Sequence, residues 1–363
     1  MRSALVAAFL ILLAATTLAA GTFAFFEGLP LAAWTGTAVV ATVAFLPTSL
    51  LGWRVRSRWV GAVNVMSGVA IGFVSYFVLA ALASWVAWAV ARFMGRPAVP
   101  PMLVSLFYLG ACLAGLSGLV SAYWIRVTRV DVRLEGLPAF WTGKTLALVT
   151  DVHLGNFRGR AFSRRVVARL ATLRAECVLV GGDMFDGVRI DASRVLEPWK
   201  ALRAPSGVYF VGGNHDDYGG RVAFFQAIRD VGIRVLDNER VVVQGLQLIG
   251  IHDLETHQPA DYHQVLMATG LTRGTASVLL AHRPSNLAVP EKAGISLQLS
   301  GHTHRGQFWP WTLVADRVYG KFAYGLNRQR RLQVYTSSGV GTWGPPFRLG
   351  TRSELALVRL LPA

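Results

Sequence analysis

Through residue 130 the chain holds one acidic residue, Glu27, and no lysine, and four apolar runs fill residues 3–26, 30–52, 61–91 and 102–125. A helix that crosses a bilayer needs ~20 mostly apolar residues, because the hydrocarbon offers nothing to pair with open backbone groups. Each run reaches that length. The 61–91 run exceeds it, and tilt or an extension past the hydrocarbon absorbs the excess. Trp53, Trp59 and Trp124 stand at expected helix ends, where indole rings favour the membrane interface. Buried core helices of a soluble protein are the competing reading, and the scarcity of charge inside the runs argues against it. The runs also lack the ionisable residues that mark a translocation path, which argues against a transporter. Asn64, inside the third run, reads as a helix-packing hydrogen bonder.

Arginine placement sets the expected orientation. Arg2, Arg54, Arg56, Arg58, Arg126, Arg129 and Arg133 fall on one set of helix ends, and Arg92 and Arg96 on the other. The positive-inside rule then expects a multi-pass protein of the cell (inner) membrane with its C-terminal domain in the cytoplasm. The first run also has the small-residue pattern of a cleaved signal peptide before Gly21. Cleavage there would leave the later topology unchanged. Cys112 and Cys177 fall one in each half and suggest no disulfide framework.

The polar half reads differently. Val130, Val132 and Leu134 alternate with charged residues as a half-buried strand. Strands follow at 145–150, 177–180 and 208–211, with helical patterns at 161–174, 192–202 and 221–231 between and after them. Further strand segments lie at 233–236, 240–250, 276–281, 295–300, 332–336 and 354–360. The chain is therefore expected to divide into a transmembrane helical domain, 1–127, and an α/β domain, 128–363.

Polar residues collect at the strand ends. Asp151 and His153 follow one strand, Asp183 the next, Asn214 and His215 the third, His282 a fourth, and His302 and His304 a fifth. Ligand sites of open α/β sheets lie beyond the carboxyl ends of strands. Carboxylate, amide and imidazole donors without thiolate suit Mn, Fe or Zn. Even with His215 set aside, seven candidate ligands exceed what one ion uses, so two divalent ions sharing a carboxylate are expected, a pattern suited to phosphoryl displacement. Any one block by itself has a plainer reading as loop hydrogen bonding. His302 and His304, at i and i+2 after a strand, are expected to point to one side.

In this order, Asp-x-His, Gly-Asp, Gly-Asn-His-Asp, a later His and Gly-His-x-His resemble the calcineurin-like metallophosphoesterase family across about residues 128–363. The resemblance implies a two-sheet β-sandwich flanked by helices. It also implies Asp151, His153 and His304 on a first metal, Asn214, His282 and His302 on a second, and Asp183 bridging both. His215 would then act on substrate as general acid or phosphate-oxygen stabiliser. Ser300–Gln307 and Tyr335–Gly341, with Pro345, Arg348 and Glu354, are similar to membrane-attached bacterial phosphodiesterases of that family, except that Arg305 stands where glycine is usual.

Residues outside these blocks have weaker readings. Asp186 and Asp216 are expected to orient ligands. Arg283 contacts phosphate or makes a structural ion pair, His252 is structural or lines the pocket, and His257 and His263 are surface residues. Between residues 305 and 349 aromatic and basic residues interleave, which fits a lipid surface, nucleic acid or a packed loop. The short connection after the fourth run favours a lipid-linked phosphodiester or pyrophosphate, resembling the substrate of the UDP-diacylglucosamine pyrophosphatase branch. A nuclease or nucleotide phosphodiesterase is the alternative, given a net charge of +16. Positive-inside topology already accounts for much of that charge, so nucleic acid is not the expected partner. An inactive membrane sensor or scaffold is the reading outside enzymes.

Overall fold

The computed structural model describes all residues except 1, 37, 38, 41, 44–57, 97, 156 and 189. The chain divides into two compact units, Met1–Val120 with Gly344–Leu349, and Ser121–Trp343 with Gly350–Ala363.

The first unit contains helices α1 (Arg2–Glu27), α2 (Arg58–Phe93) and most of α3 (Pro101–Tyr123). Within them Leu10–Glu27, Gly61–Phe93 and Pro101–Tyr123 are long and apolar enough to cross a membrane. The second expected span, 30–52, falls largely outside the described residues, as do Trp53, Arg54 and Arg56. Two polar contacts join helices of this unit. Trp85 Nε1 donates to Thr22 Oγ1 at 2.9 Å, and the Tyr108 hydroxyl donates to the Ala19 carbonyl at 2.6 Å. Such bonds lock helices together where side chains have no water to bind. The ring of Phe347 stands 5.3 Å from that of Phe73.

The second unit is built on β1 (Ile125–Leu134), β2 (Thr145–Val149), β3 (Leu154–Gly155), β4 (Cys177–Val180), β5 (Phe185–Asp186), β6 (Val208–Phe210) and β7 (Arg234–Val235). It continues with β8 (Glu239–Val243), β9 (Leu246–Ile251), β10 (Ser277–Ala281), β11 (Leu297–Ser300), β12 (Gly325–Gln329), β13 (Leu332–Thr336) and β14 (Ser353–Pro362). Its helices are α4 (Arg160–Ala171), α5 (Ala192–Leu196), α6 (Arg221–Asp230), α7 (Pro259–Ala268), α8 (Ala288–Ala293) and α9 (Trp311–Tyr319). One six-stranded sheet runs β1-β14-β2-β4-β6-β7, the other β12-β13-β11-β10-β9-β8.

Side-chain alternation explains the layering. Along β2, Leu146 and Leu148 enter the core between the sheets, while Ala147 and Val149 join the core under α4, α5 and α6. Along β10, Val278 and Leu280 face the first core, while Leu279 and Ala281 pack with Tyr262 and Leu266 of α7. Successive strand residues point to opposite faces, so strands apolar on both faces must be covered on both. The result is a two-sheet sandwich flanked by helices. Strands β2, β4 and β6 are mutually parallel, as are β10 and β11, so within each sheet these carboxyl ends point one way.

Three local expectations change. The single strand at 240–250 is a hairpin, β8 and β9, turned at Gln244 (φ 50°) and Gly245 (φ 83°). Positive φ at both central residues matches the twist of tight hairpins. The helix at 192–202 breaks after Leu196 into a 3₁₀ turn, Glu197–Ala201, at Pro198, which lacks the N–H an α-helix needs. Helices α7, α8 and α9 lie where no helix was expected.

Candidate metal centre

The expected site residues lie at the strand ends and converge. Asp151 and His153 follow β2, Asp183 follows β4, Asn214 and His215 follow β6, His282 follows β10, and His302 and His304 follow β11. Side-chain atoms of Asp151, His153 and His304 lie within 4.8 Å of one another, as do those of Asp183, His282 and His302. His302 and His304 therefore serve different clusters, contrary to the same-side expectation. The chain has left the extended conformation by then: φ is 67° at His302 and 47° at His304.

Asp183 lies between the clusters. Its Oδ2 is 3.1 Å from Nε2 of His282 and 3.7 Å from Nε2 of His153. On the first side, Nε2 of His153 and Nε2 of His304 stand 3.0 Å apart, and His304 Nε2 is 3.5 Å from Asp151 Oδ1. The backbone N–H of His302 donates to Asp151 Oδ1 at 3.0 Å, and that of His215 donates to Asp183 Oδ1 at 2.9 Å. Only glycine fits beside these carboxylates. A Cβ on Gly213 would stand 2.3 Å from Asp183 Oδ1, and one on Gly301 2.3 Å from Asp151 Oδ2.

These donors fit divalent cations. His282 Nδ1 donates to the Gly181 carbonyl at 2.8 Å, which aims Nε2 into the cluster. Asn214 Oδ1 is buried without a hydrogen-bond partner, an arrangement costly unless a ligand is bound. Asp151, His153, Asp183, His302 and His304 all take positive φ. Non-glycine residues pay for that conformation, and its clustering marks a functional site.

Electrostatics point the same way. Burial, then the His215 charge, lowers His153 to about 4; burial, then the His282 charge, lowers His302 to about 3. Both imidazoles are thus neutral near pH 7, with lone pairs to offer. Burial raises Asp151 to about 6. Burial also opposes ionisation of Asp183, but the His282 charge and hydrogen bond outweigh it and hold the carboxyl well below the usual range. At His282 burial again opposes charge, yet Asp183 above all pushes the imidazole up to about 10.

His215 lies beside the clusters, its Nδ1 3.1 Å from Asp186 Oδ1. Burial disfavours its charged form, but the Asp186 hydrogen bond and the Asp183 charge more than offset this and raise its pKa. The exposed rings of Tyr218 and Trp343 stand 4.8 and 6.2 Å from the His215 ring. Neither was singled out as a site residue, since a lone aromatic in a loop carries no signal. Gln307 ties down the Trp343 backbone, its Nε2 donating to the carbonyl at 3.0 Å and its Oε1 accepting the N–H at 2.7 Å.

Residues 144–306 match the family model described as calcineurin-like phosphoesterase. The chain carries a calcineurin-like metallophosphoesterase domain. A transmembrane protein with metallophosphoesterase domain from Danio rerio is 34% identical over 253 residues, 66% of this chain and 58% of that one. An uncharacterized metallophosphoesterase of Helicobacter pylori is 32% identical over 221 residues, 60% of each chain. This chain spans about 60% of the length of these curated relatives. The solved structure of a dimetal phosphatase from Danio rerio is similar at a TM-score of 0.39 and 15% identity, covering 55% of this chain and 88% of that one.

Around this candidate centre, several side chains have supporting contacts. Arg283 Nε donates to Asp253 at 2.8 Å, so the ion-pair reading describes it. His252 is buried, its Nδ1 accepting the Leu254 N–H at 3.3 Å, while His263 is exposed. His257 is also largely exposed, 3.1 Å from Asp253. The stretch 305–349 is not one surface. Phe308 and Phe347 are buried, and Trp309, Trp311 and Trp343 are exposed.

Proposed function

We propose that this chain is a membrane-tethered, dimetal phosphoesterase that hydrolyses phosphodiester or pyrophosphate bonds of a lipid-linked substrate. In this reading Asp151, His153 and His304 hold one divalent ion, Asn214, His282 and His302 hold the other, and Asp183 bridges them. The observation that carries it is the position of Asp183 Oδ2 between His282 and His153, at 3.1 and 3.7 Å. Mn, Fe or Zn ions bound there would polarise phosphoryl oxygens and acidify the attacking water. The protein's own groups supply the rest. His215, held by Asp186, presents a proton for the leaving oxygen or a donor for a phosphoryl oxygen. Tyr218 and Trp343 offer flat apolar surface beside it.

The lipid-linked substrate is supported by sequence continuity. Helix α3 ends at Tyr123 and β1 begins at Ile125, so any bilayer that holds the helices also holds the hydrolase at high local concentration of membrane substrates. The arginine distribution supports a cytoplasmic catalytic unit at the inner membrane. The test is hydrolysis by the purified full chain loaded with Mn or Zn. The substrates are bis(p-nitrophenyl) phosphate, nucleotides, single-stranded DNA and a nucleotide-diphosphate lipid in vesicles. Preference for the lipid is expected. Preference for DNA would make the protein a nuclease, and no turnover on any substrate with two ions bound would sink the enzyme reading.

A further inference from the structure

Helix α9 starts a few residues after His304 and ends beside His302, whose ring stands 6.2 Å from that of Tyr319. Its first turn presses on the loop that carries His304, where a Cβ on Gly306 would stand 2.2 Å from the Trp311 carbonyl. Ala315 is buried and Tyr319 half-buried on the inner side of this helix. The flank beside Ala315 is apolar too. Trp311, Val314 and Val318, spaced i, i+3, i+7, are 51%, 52% and 66% exposed, with Leu313 at 61% and the preceding Trp309 at 45%. Soluble surfaces rarely leave such a contiguous patch uncovered.

The segment that carries the patch is basic. From residue 305 to 349 the chain holds seven Lys and Arg and one acid, Asp316. Arg317 on α9, Lys321 just after it, and Arg328 and Arg331 of the following hairpin are exposed. An apolar stripe with tryptophan at one end and exposed cations in the same segment has the composition of a helix lying in a lipid interface. The same cations would repel a second copy of this surface and attract anionic headgroups.

We propose that the outer face of α9, with Trp309, is a docking surface for an anionic lipid bilayer, which seats the mouth of the metal centre on the membrane. It deepens the lipid-substrate reading above and rests on it only for the identity of what is cleaved. Docking can be read without catalysis.

The full chain, with Cys112→Ser and the buried Cys177 left in place, is spin-labelled at Val318→Cys and reconstituted into discs of phosphatidylcholine and phosphatidylglycerol. The control label is at Val242→Cys, exposed on β8 at the far edge of the second sheet. The Val318 label should collide with a water-soluble nickel chelate about tenfold less often than the control label. Replacing phosphatidylglycerol with phosphatidylcholine should reverse most of that protection. Equal nickel access at both sites would overturn the proposal, as would protection that persists in detergent, since protein would then cover the face. A second arm uses Val314→Glu with Val318→Glu. This variant should hydrolyse a vesicle-embedded phosphodiester at least tenfold more slowly and bis(p-nitrophenyl) phosphate at the unaltered rate. Equal loss on both would overturn the positioning role. Absence of turnover by the unaltered chain would refute the phosphoesterase reading and leave the labelling result standing.

Discussion

The Asp216 carboxylate holds the turn that carries Asp183. Its Oδ2 accepts the Asp183 N–H at 2.9 Å and the Gly213 N–H at 2.8 Å, and its Oδ1 accepts those of Met184 and Phe185 at 2.9 and 3.1 Å. One side chain therefore joins the loops after β4 and β6. Burial, then the Asp183 charge, raises its carboxyl to about 7 against the pull of those donors. Asp216→Ala leaves four backbone donors without their acceptor, at about 1–3 kcal/mol for each group that stays dry. A loss of roughly 3–5 kcal/mol is expected, read as a lower thermal midpoint of the detergent-purified chain. An unchanged midpoint would mean that water replaces the carboxylate.

Asp183→Asn removes the charge shared by the two clusters. Elemental analysis of the purified variant should find fewer than two ions per chain, with hydrolysis abolished. Two ions retained with full activity would remove the dinuclear arrangement.

His215→Ala should keep both ions and the fold while the rate falls by about 10²–10⁴, the range for general acid–base help. Asp186→Asn should fall less far, because it removes the partner that orients His215 and leaves the imidazole in place. Loss of ions from the His215 variant would show that it is a ligand.

A fluorescent reporter fused after Ala363 should mature in the cytoplasm of a bacterial host, and an alkaline phosphatase fusion at the same point should stay inactive. The opposite pair of results would reverse the topology drawn from Arg126, Arg129 and Arg133.

Much of the centre was legible because its residues are tied to strand ends. Asp151, Asp183 and His282 each follow an apolar run that can only be a buried strand, and ligand sites lie at such ends. The apolar length of α1, α2 and α3 was equally plain, since a spanning helix is defined by composition. Less was legible where backbone conformation departs from its local preference. The hairpin at Gln244 and Gly245 hid between two short apolar runs that read as one strand. Helix α9 hid because its 9 residues are too few for a helical period to stand out.

By itself the sequence determined which atoms are available: oxygen and imidazole donors without thiolate, spaced along alternating strands and helices, behind a stretch too apolar for water. Tertiary structure decided the distances and backbone conformations at which those atoms meet. His302 and His304 are two residues apart yet reach different clusters, and both take positive φ there. Asp183 lies between the clusters because Asp216, 33 positions later, fixes its backbone. Such placements depend on contacts between distant segments, whose energies outweigh the local preferences that a sequence displays.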